Sequence, residues 1–223
     1  MTKTTYRGGP IFDGRHLLHG HALCTEAGRI TALAPEGKTP PSGEIIDLDG
    51  DLLAPGYVDL QVNGGGGVMV NDGPTVADLA AIAEAHRRLG STTILPTLIT
   101  DTPERSRAAI EAVAQAIAEG VPGIGGLHLE GPHLALSRKG AHDGALIRAM
   151  TEADLSMLCD AARRLPVLKV TIAPENTTRA QVAALAETSA PGPAASPICS
   201  TPCAASTSAS PALSARRWPA TGS

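Results

Sequence analysis

The sequence is poor in aromatic residues, because Phe, Tyr and Trp together number four among its 223 residues. Its core must therefore be built from aliphatic side chains. The sequence also lacks an excess of positive charge: its formal net charge at pH 7 is −4, which argues against binding to the phosphate backbone of nucleic acids. No apolar run approaches the roughly 18 residues that a membrane span requires. We therefore expect neither nucleic acid nor a membrane as a partner.

The cysteines are few and widely spaced. Cys24, Cys159, Cys199 and Cys203 form no C-x-x-C pair, which is typical of reduced thiols rather than of a disulfide framework. The first residues, MTKTTYRGGPIFDG, also lack the apolar segment of a secretory signal peptide. The sequence therefore predicts a cytoplasmic location.

Three regions differ in composition and periodicity. Residues 1–55 alternate short apolar runs with Gly-containing turns, which predicts a β-rich segment. Residues 56–187 alternate β-branched runs with helical patterns, so we expect parallel strands joined by helices. Residues 188–223 consist almost entirely of Ala, Ser, Pro, Thr and Gly, a composition that predicts a disordered tail.

Two α/β architectures fit the middle region, a doubly wound sheet and a (β/α)8 barrel. In both, functional residues gather beyond the carboxyl ends of the strands. The region contains about four strand–helix units, whereas a complete barrel takes eight strands in roughly 250 residues. The sequence as it stands is therefore too short to close a barrel after its N-terminal β segment.

The segment HLEGPH carries the strongest chemical signal. His128 and Glu130 are two residues apart at the end of a predicted strand, so both side chains project from one face. A carboxylate and an imidazole there could hold a divalent metal that activates water. Alternatively, Glu130 caps a turn and His128 is a core histidine with satisfied hydrogen bonds. The spacing alone leaves both interpretations open.

Other polar residues are weaker candidates. His142 lies in the Gly-bracketed segment GAHDG and could contact a ligand or be an ordinary loop histidine. Gln61 and Asn63 alternate onto one face and could contact a metal-bound water or a substrate amide. The four glycines 64–67 could offer backbone N–H groups to an anion or form a plain turn.

Five segments occur in one order: LAPGYVDLQVNGGGG, TTILPTLIT, GLHLEGPHL, KGAH and VTIAPE. Together they resemble the N-acetylglucosamine-6-phosphate deacetylases of the amidohydrolase superfamily, over residues 1 to about 187. The resemblance implies an α/β fold that holds about the first half of a (β/α)8 TIM-type barrel, with residues 1–55 in a small β-sandwich. It also implies a homodimer and an amino-sugar phosphate substrate, N-acetylglucosamine 6-phosphate, hydrolysed to glucosamine 6-phosphate and acetate.

The resemblance also assigns site residues. It implies that Glu130 is a metal ligand and that Ala141 and His142 contact substrate. Gln61 and Asn63 stand where the superfamily's HxH motif has its two histidines. The implied cofactor is one divalent metal, Zn²⁺ or a similar ion. An amidohydrolase that acts on cyclic amides is the alternative, and the replacement of both HxH histidines counts against it.

The sequence also departs from this family. The family takes two further metal ligands from histidines and its acid/base catalyst from an aspartate, but no His follows His142 and no Asp follows Asp160 here. We therefore expect a member of the deacetylase lineage that has no catalytic residue and is inactive. The alternative is a fragment with no catalytic role that at most binds sugar phosphate weakly.

Codons allowed for residues 197–203 also encode HLFNAM in another frame, which matches a metal-ligand motif of the family. This predicts a C-terminally truncated chain whose tail is read out of frame.

Overall fold

The structure, a computed structural model, describes residues 2–38, 42–188 and 198–199. The chain forms two units that divide between Tyr57 and Val58. The predicted disordered, out-of-frame tail lies outside the described residues, except that Thr188 ends a helix and residues 198–199 form a short strand.

The first unit is built of strands. They are β1 (Lys3–Arg7), β2 (Ile11–Phe12), β3 (Leu17–Leu18), β4 (His21–Glu26), β5 (Arg29–Pro35) and β6 (Glu44–Asp47). The order β5-β4-β1-β6 makes one sheet, and β2 pairs with β3. Strands β4 and β5 form a hairpin whose turn has positive φ angles at Ala27 and Gly28, in agreement with the Gly-containing turns expected in this segment. A small aliphatic core supports this unit, and its place in a β-sandwich stays a prediction.

The second unit alternates strands and helices. Its strands are β7 (Tyr57–Val62), β8 (Gly64–Gly65), β9 (Val68–Met69), β10 (Ser91–Ile99), β11 (Leu127–Glu130), β12 (Leu168–Thr171) and β13 (Ile198–Cys199). Its helices are α1 (Val76–Arg87), α2 (Pro103–Ala118), α3 (Glu152–Arg164) and α4 (Arg179–Thr188). No described helix has the length and apolar character needed to cross a membrane.

One sheet organises this unit, in the order β13-β12-β11-β10-β7. Strands β10 to β13 run parallel, and successive strands of the sheet are joined through α1, α2, α3 and α4 in turn. This confirms the α/β class. A doubly wound sheet reverses its strand order at a switch point, and the described strands show no such reversal. The sequential order fits the first part of a barrel, and the incomplete (β/α)8 barrel stays a prediction.

Local sequence signals explain where the helices begin. Thr75 and Thr151 each form a capping box with the aspartate three residues later, and Thr102 caps α2, whose first residue is Pro103. Glycines 64–67 make a tight hairpin: β8 pairs with β9, and the φ angles of Gly66 and Gly67 are positive. Of the two interpretations of the glycine run, this geometry supports the plain turn.

The core of the second unit is aliphatic, as the shortage of aromatic residues requires. Helices α1 and α2 bury one face each against the sheet, for example through Ile82 and Val113. Leu98 and Leu129 of β10 and β11 belong to the same buried cluster. Burial of each such side chain contributes about 2 kcal/mol, which holds the strands in register and so positions their ends.

Candidate functional site

Glu130 lies at the carboxyl end of β11, where strands β7 and β10 also end. In the parallel register, Glu130 is opposite Ile99 of β10 and Thr171 of β12. Gln61, near the end of β7, donates from Nε2 to Glu130 Oε2 at 3.0 Å. The sheet thus joins two candidate residues that are 69 positions apart in the chain. The Glu130 side chain keeps 20% of its surface exposed, so one end of it remains accessible.

His142 returns to this edge on the loop that follows β11. Its Nε2 lies 3.7 Å from Glu130 Oε1, too long for a direct hydrogen bond. Its Nδ1 accepts the backbone N–H of Thr100 at 3.2 Å and lies 2.8 Å from the Thr100 hydroxyl. Because Nδ1 accepts a hydrogen bond, the neutral ring carries its proton on Nε2, facing the carboxylate.

The loop that carries His142 is held at both sides. The His142 N–H donates to the carbonyl of Lys139 at 3.0 Å, and Lys139 Nζ donates back to the carbonyl of His142 at 3.3 Å. Further on, Arg148 forms a bidentate ion pair with the buried Asp154 of α3, with one contact of 2.7 Å. The loop therefore has fixed points before and after the imidazole.

The ion pair between Arg148 and Asp154 was not expected from the sequence. The Arg148 guanidinium holds the pKa of the Asp154 carboxyl well below its usual range, and bonds from Thr151 act in the same direction. His133 is buried beside this pair, with Nδ1 3.1 Å from the carbonyl of Arg148. Burial lowers the pKa of His133, because the charged imidazole would lose its hydration.

Two other candidates lie near the cluster without joining it. Ala141 is exposed and precedes His142 directly. Asn63 is half-buried just after β7, and its carbonyl accepts the N–H of Val70 at 2.9 Å. Within the described part of the chain, no side-chain hydrogen bond links Asn63 to Glu130 or His142. Substrate contacts of Ala141 and Asn63 therefore stay predictions.

His128 is a core histidine. It is fully buried, with Nδ1 3.2 Å from the Thr97 hydroxyl and Nε2 2.8 Å from the Thr171 hydroxyl. The Thr97 hydroxyl donates to the carbonyl of Leu95, so it accepts from His128 Nδ1–H. Burial lowers the pKa of His128 to about 4, and the positive charge of Lys169 adds to this effect. Both ring nitrogens are occupied, so this residue has none left for a metal.

Comparison with known proteins finds similar sequences and a similar fold. A curated N-acetylgalactosamine-6-phosphate deacetylase from Shewanella sp. (strain ANA-3) is 45% identical over 135 residues, which are 60% of this chain and 34% of that protein. A Haemophilus influenzae N-acetylglucosamine-6-phosphate deacetylase is 34% identical over 168 residues, 75% of this chain and 44% of that protein. The crystal structure of the Pasteurella multocida N-acetylglucosamine-6-phosphate deacetylase matches with a TM-score of 0.78 and 33% identity, over 84% of this chain and 49% of that one.

The N-terminal part of this chain is homologous to N-acetylglucosamine-6-phosphate deacetylases and has the amidohydrolase fold. The expected resemblance is thus confirmed. The chain spans less than half the length of the two curated relatives and about half of the solved deacetylase. No protein-family profile matches it.

The deacetylase resemblance implies a divalent metal, and the side chains at the strand ends test whether one fits. Among the residues that the structure describes, no group of three His, Cys, Asp or Glu side chains could hold a metal ion. Glu130 and His142 are two candidate ligands, and the amide of Gln61 already occupies one carboxylate oxygen. A catalytic zinc has about three protein ligands and a water. The described residues therefore do not fit a catalytic metal centre.

Lys169 is a polar residue at this sheet that the sequence reasoning missed. It is in register with His128, and its Nζ lies 3.5 Å from the carbonyl of Leu60 on β7. Residues opposite each other in a parallel pair share a face, so Lys169 is on the face that carries His128 and Glu130. The available signal was the alternation in LKVT, which places Lys169 two residues before Thr171 on that face.

Proposed function

We propose that this chain carries the acetamide-recognition part of a deacetylase for N-acetylhexosamine 6-phosphates, and that it binds such sugars weakly without hydrolysing them. The observation that supports this most is the cluster of Gln61, Glu130 and His142 at the carboxyl end of the parallel sheet. This is the edge at which α/β enzymes of this kind bind their substrates. The homology to deacetylases supplies the substrate class.

The cluster suits a secondary amide. An acetamide presents an N–H donor and a carbonyl acceptor close together. The Glu130 carboxylate can accept from the N–H, and His142 Nε2–H, whose nitrogen lies 3.7 Å from that carboxylate, can donate to the carbonyl. The Gln61 amide holds the carboxylate in place. Ala141 directly precedes His142 in the sequence, and Asn63 lies two residues after Gln61. We propose that both residues contact the sugar.

The same cluster is insufficient for hydrolysis. Glu130 and His142 are fewer than the ligands of a catalytic zinc, so any Zn²⁺ that binds here would be held weakly. Asp101, the carboxylate that follows β10, already accepts hydrogen bonds from Asn71 and from the N–H of Thr102. Water activation and protonation of the leaving amine therefore have no assigned group among the described residues.

The two curated relatives act on different sugars according to their names, one on N-acetylgalactosamine 6-phosphate and the other on N-acetylglucosamine 6-phosphate. These sugars share the acetamide and the phosphate and differ in configuration at C4. Because the cluster offers partners to the acetamide, we expect it to bind both. A homodimer and a cytoplasmic location remain predictions.

The test is a ligand titration of the full chain followed by NMR. Both acetylated sugar phosphates should bind in the millimolar range, and glucosamine 6-phosphate, which lacks the acetyl group, should bind more weakly. His142→Ala should weaken binding about fivefold, the loss of one hydrogen bond. His16→Ala, at an exposed turn of the first unit, is the control and should change nothing.

Equal binding of glucosamine 6-phosphate would contradict acetamide recognition. Release of acetate at an enzyme-like rate after addition of Zn²⁺ would contradict the proposed inactivity. Preferential binding of a cyclic amide such as dihydrouracil would favour the alternative amidohydrolase.

The origin of the tail forms a separate part of this proposal. We propose that residues after about 187 are translated in a different frame from that of the deacetylases. The support is the HLFNAM reading that the codons of residues 197–203 permit. The nucleotide sequence of the gene tests this, and codons that do not encode this motif in the shifted frame would contradict it.

A further inference from the structure

We propose that Thr100 is a positioning residue that holds His142 with its ring proton on Nε2, directed at Glu130. This inference rests on the proposed function, because it assigns the donor that would bond an acetamide carbonyl. Thr100 itself touches neither the Glu130 carboxylate nor the open part of the cluster in the described contacts.

Two groups of Thr100 converge on one nitrogen. The backbone N–H donates to His142 Nδ1 at 3.2 Å, and the hydroxyl oxygen lies 2.8 Å from the same atom. The hydroxyl also lies 3.4 Å from the carbonyl of Glu130, a longer contact. The shorter distance assigns the hydroxyl proton to Nδ1. Nδ1 is then an acceptor for both groups, which leaves the proton of a neutral ring on Nε2.

The absence of a side chain at Gly131 leaves room for the Thr100 hydroxyl. Gly131 follows Glu130 with a φ of +93°, and a Cβ added there would lie 2.2 Å from Thr100 Oγ1. A side chain at residue 131 would therefore displace the hydroxyl from its position beside the imidazole. Thr100 is itself only 6% exposed, so water does not readily replace it as a partner of Nδ1.

The backbone on both sides of Thr100 is also fixed. Asn71 accepts the N–H of Ile99 and donates to its carbonyl, each at 3.2 Å. The same amide donates to the Asp101 carboxylate at 2.9 Å. These bonds hold the residues before and after Thr100, so its N–H keeps its direction toward the ring.

The opposite tautomer would have two costs. A proton on Nδ1 would face the N–H of Thr100, and a lone pair on Nε2 would face the negative Glu130 carboxylate. Thr100 therefore determines that the imidazole presents a donor at the open end of the cluster.

The test is long-range ¹⁵N–¹H NMR of the full chain labelled on histidine, in metal-free buffer at neutral pH. The signals of the two tautomers differ clearly. We expect His142 to be protonated on Nε2 in the wild type, whereas His128 should be protonated on Nδ1 and serves as an internal control. A wild-type His142 protonated on Nδ1 would overturn the proposal without any variant.

Thr100→Val removes the hydroxyl and keeps the shape, while Thr100→Ser keeps the hydroxyl. We expect the valine variant, which keeps the backbone N–H donor, to raise the share of the Nδ1–H tautomer without making it dominant. It should bind the acetylated sugar phosphate about fivefold more weakly, and the serine variant should restore both properties. An unchanged His128 signal shows that the sheet is intact. If the valine variant fails to fold, Thr100→Ala takes its place. A tautomer unaltered in a folded variant would overturn the proposal.

The two proposals can fail separately. Absence of sugar binding would contradict the proposed function and leave the tautomer signals readable. A changed tautomer without a change in affinity would show that Thr100 orients the ring but that the ring does not contact the sugar, which contradicts the role assigned here.

Discussion

The second unit contains two histidines that hydrogen-bond to threonines and differ in what their other nitrogen does. His128, inside β11, has a threonine hydroxyl at each nitrogen and no exposed surface. His142, on the loop beyond the strand, has Thr100 at one nitrogen and faces Glu130 with the other. A polar side chain within the strand thus supports the sheet, and one beyond its end keeps a group for a ligand.

The largest effect that this comparison predicts is on stability. His128→Ala should lower the free energy of unfolding by about 3 kcal/mol, because it leaves a cavity and removes two buried side-chain hydrogen bonds. His142→Ala should cost only about 1–2 kcal/mol, because that ring lies beyond the strand, keeps 11% of its side chain exposed and loses its bonds to Thr100 alone. Urea unfolding of both variants measures the difference. Equal losses would contradict the division into a structural and a ligand-facing histidine.

A pH effect of similar size follows from the pKa of His128, which burial lowers to about 4 from 6.5. Between these values the unfolded chain binds a proton that the folded chain does not, so stability should fall as the pH decreases from 6.5 to 4. The shift corresponds to about 3 kcal/mol. The buried His133 adds to the fall, whereas the lowered pKa of Asp154 acts only below its ordinary 3.8.

Urea unfolding as a function of pH checks this. His128→Gln should reduce the pH dependence but not abolish it, because His133 remains. Its stability should stay constant above pH 6.5, as in the wild type. A wild-type stability that rises on acidification would show that His128 is charged in the fold.

A smaller loss is expected at the strand end. Gly131→Ala should destabilise the fold by about 2 kcal/mol, because its Cβ would lie 2.2 Å from Thr100 Oγ1 on a backbone with positive φ. Gly140→Ala is the matched control: its φ is +56° and no atom lies within 4 Å of an added Cβ. It should cost only about 1 kcal/mol of backbone strain. Thermal unfolding of the pair separates collision from strain.

The smallest effect is expected for zinc. Equimolar Zn²⁺ should leave the melting temperature unchanged within error, because the described residues offer too few ligands for a tight site. Glu130→Gln should behave as the wild type does in this measurement. Stoichiometric zinc binding in calorimetry that disappears in the Glu130→Gln variant would show that the site at this strand end is complete.

Much of the local structure could be predicted from the residues. Thr75 with Asp78 and Thr151 with Asp154 marked two helix starts, because a capping box involves only neighbours in sequence. The strand within TTILPTLIT can be predicted from its β-branched residues in the same way, whereas glycines 64–67 allowed a turn or an anion-binding segment. The hydrogen bond between Gln61 and Glu130 could not be predicted, since it depends on the order and curvature of the strands in the sheet.

The sequence alone determined the alternation of strands and helices, the strand end on which Glu130 stands and the kinship to the deacetylases. These depend on local propensity and on motifs that a linear pattern contains. Only the tertiary structure decided between the two interpretations of His128 and showed that Thr100 holds His142. Hydrogen-bond partners from separate strands are set by sheet register, which depends on packing of the whole unit rather than on any short segment.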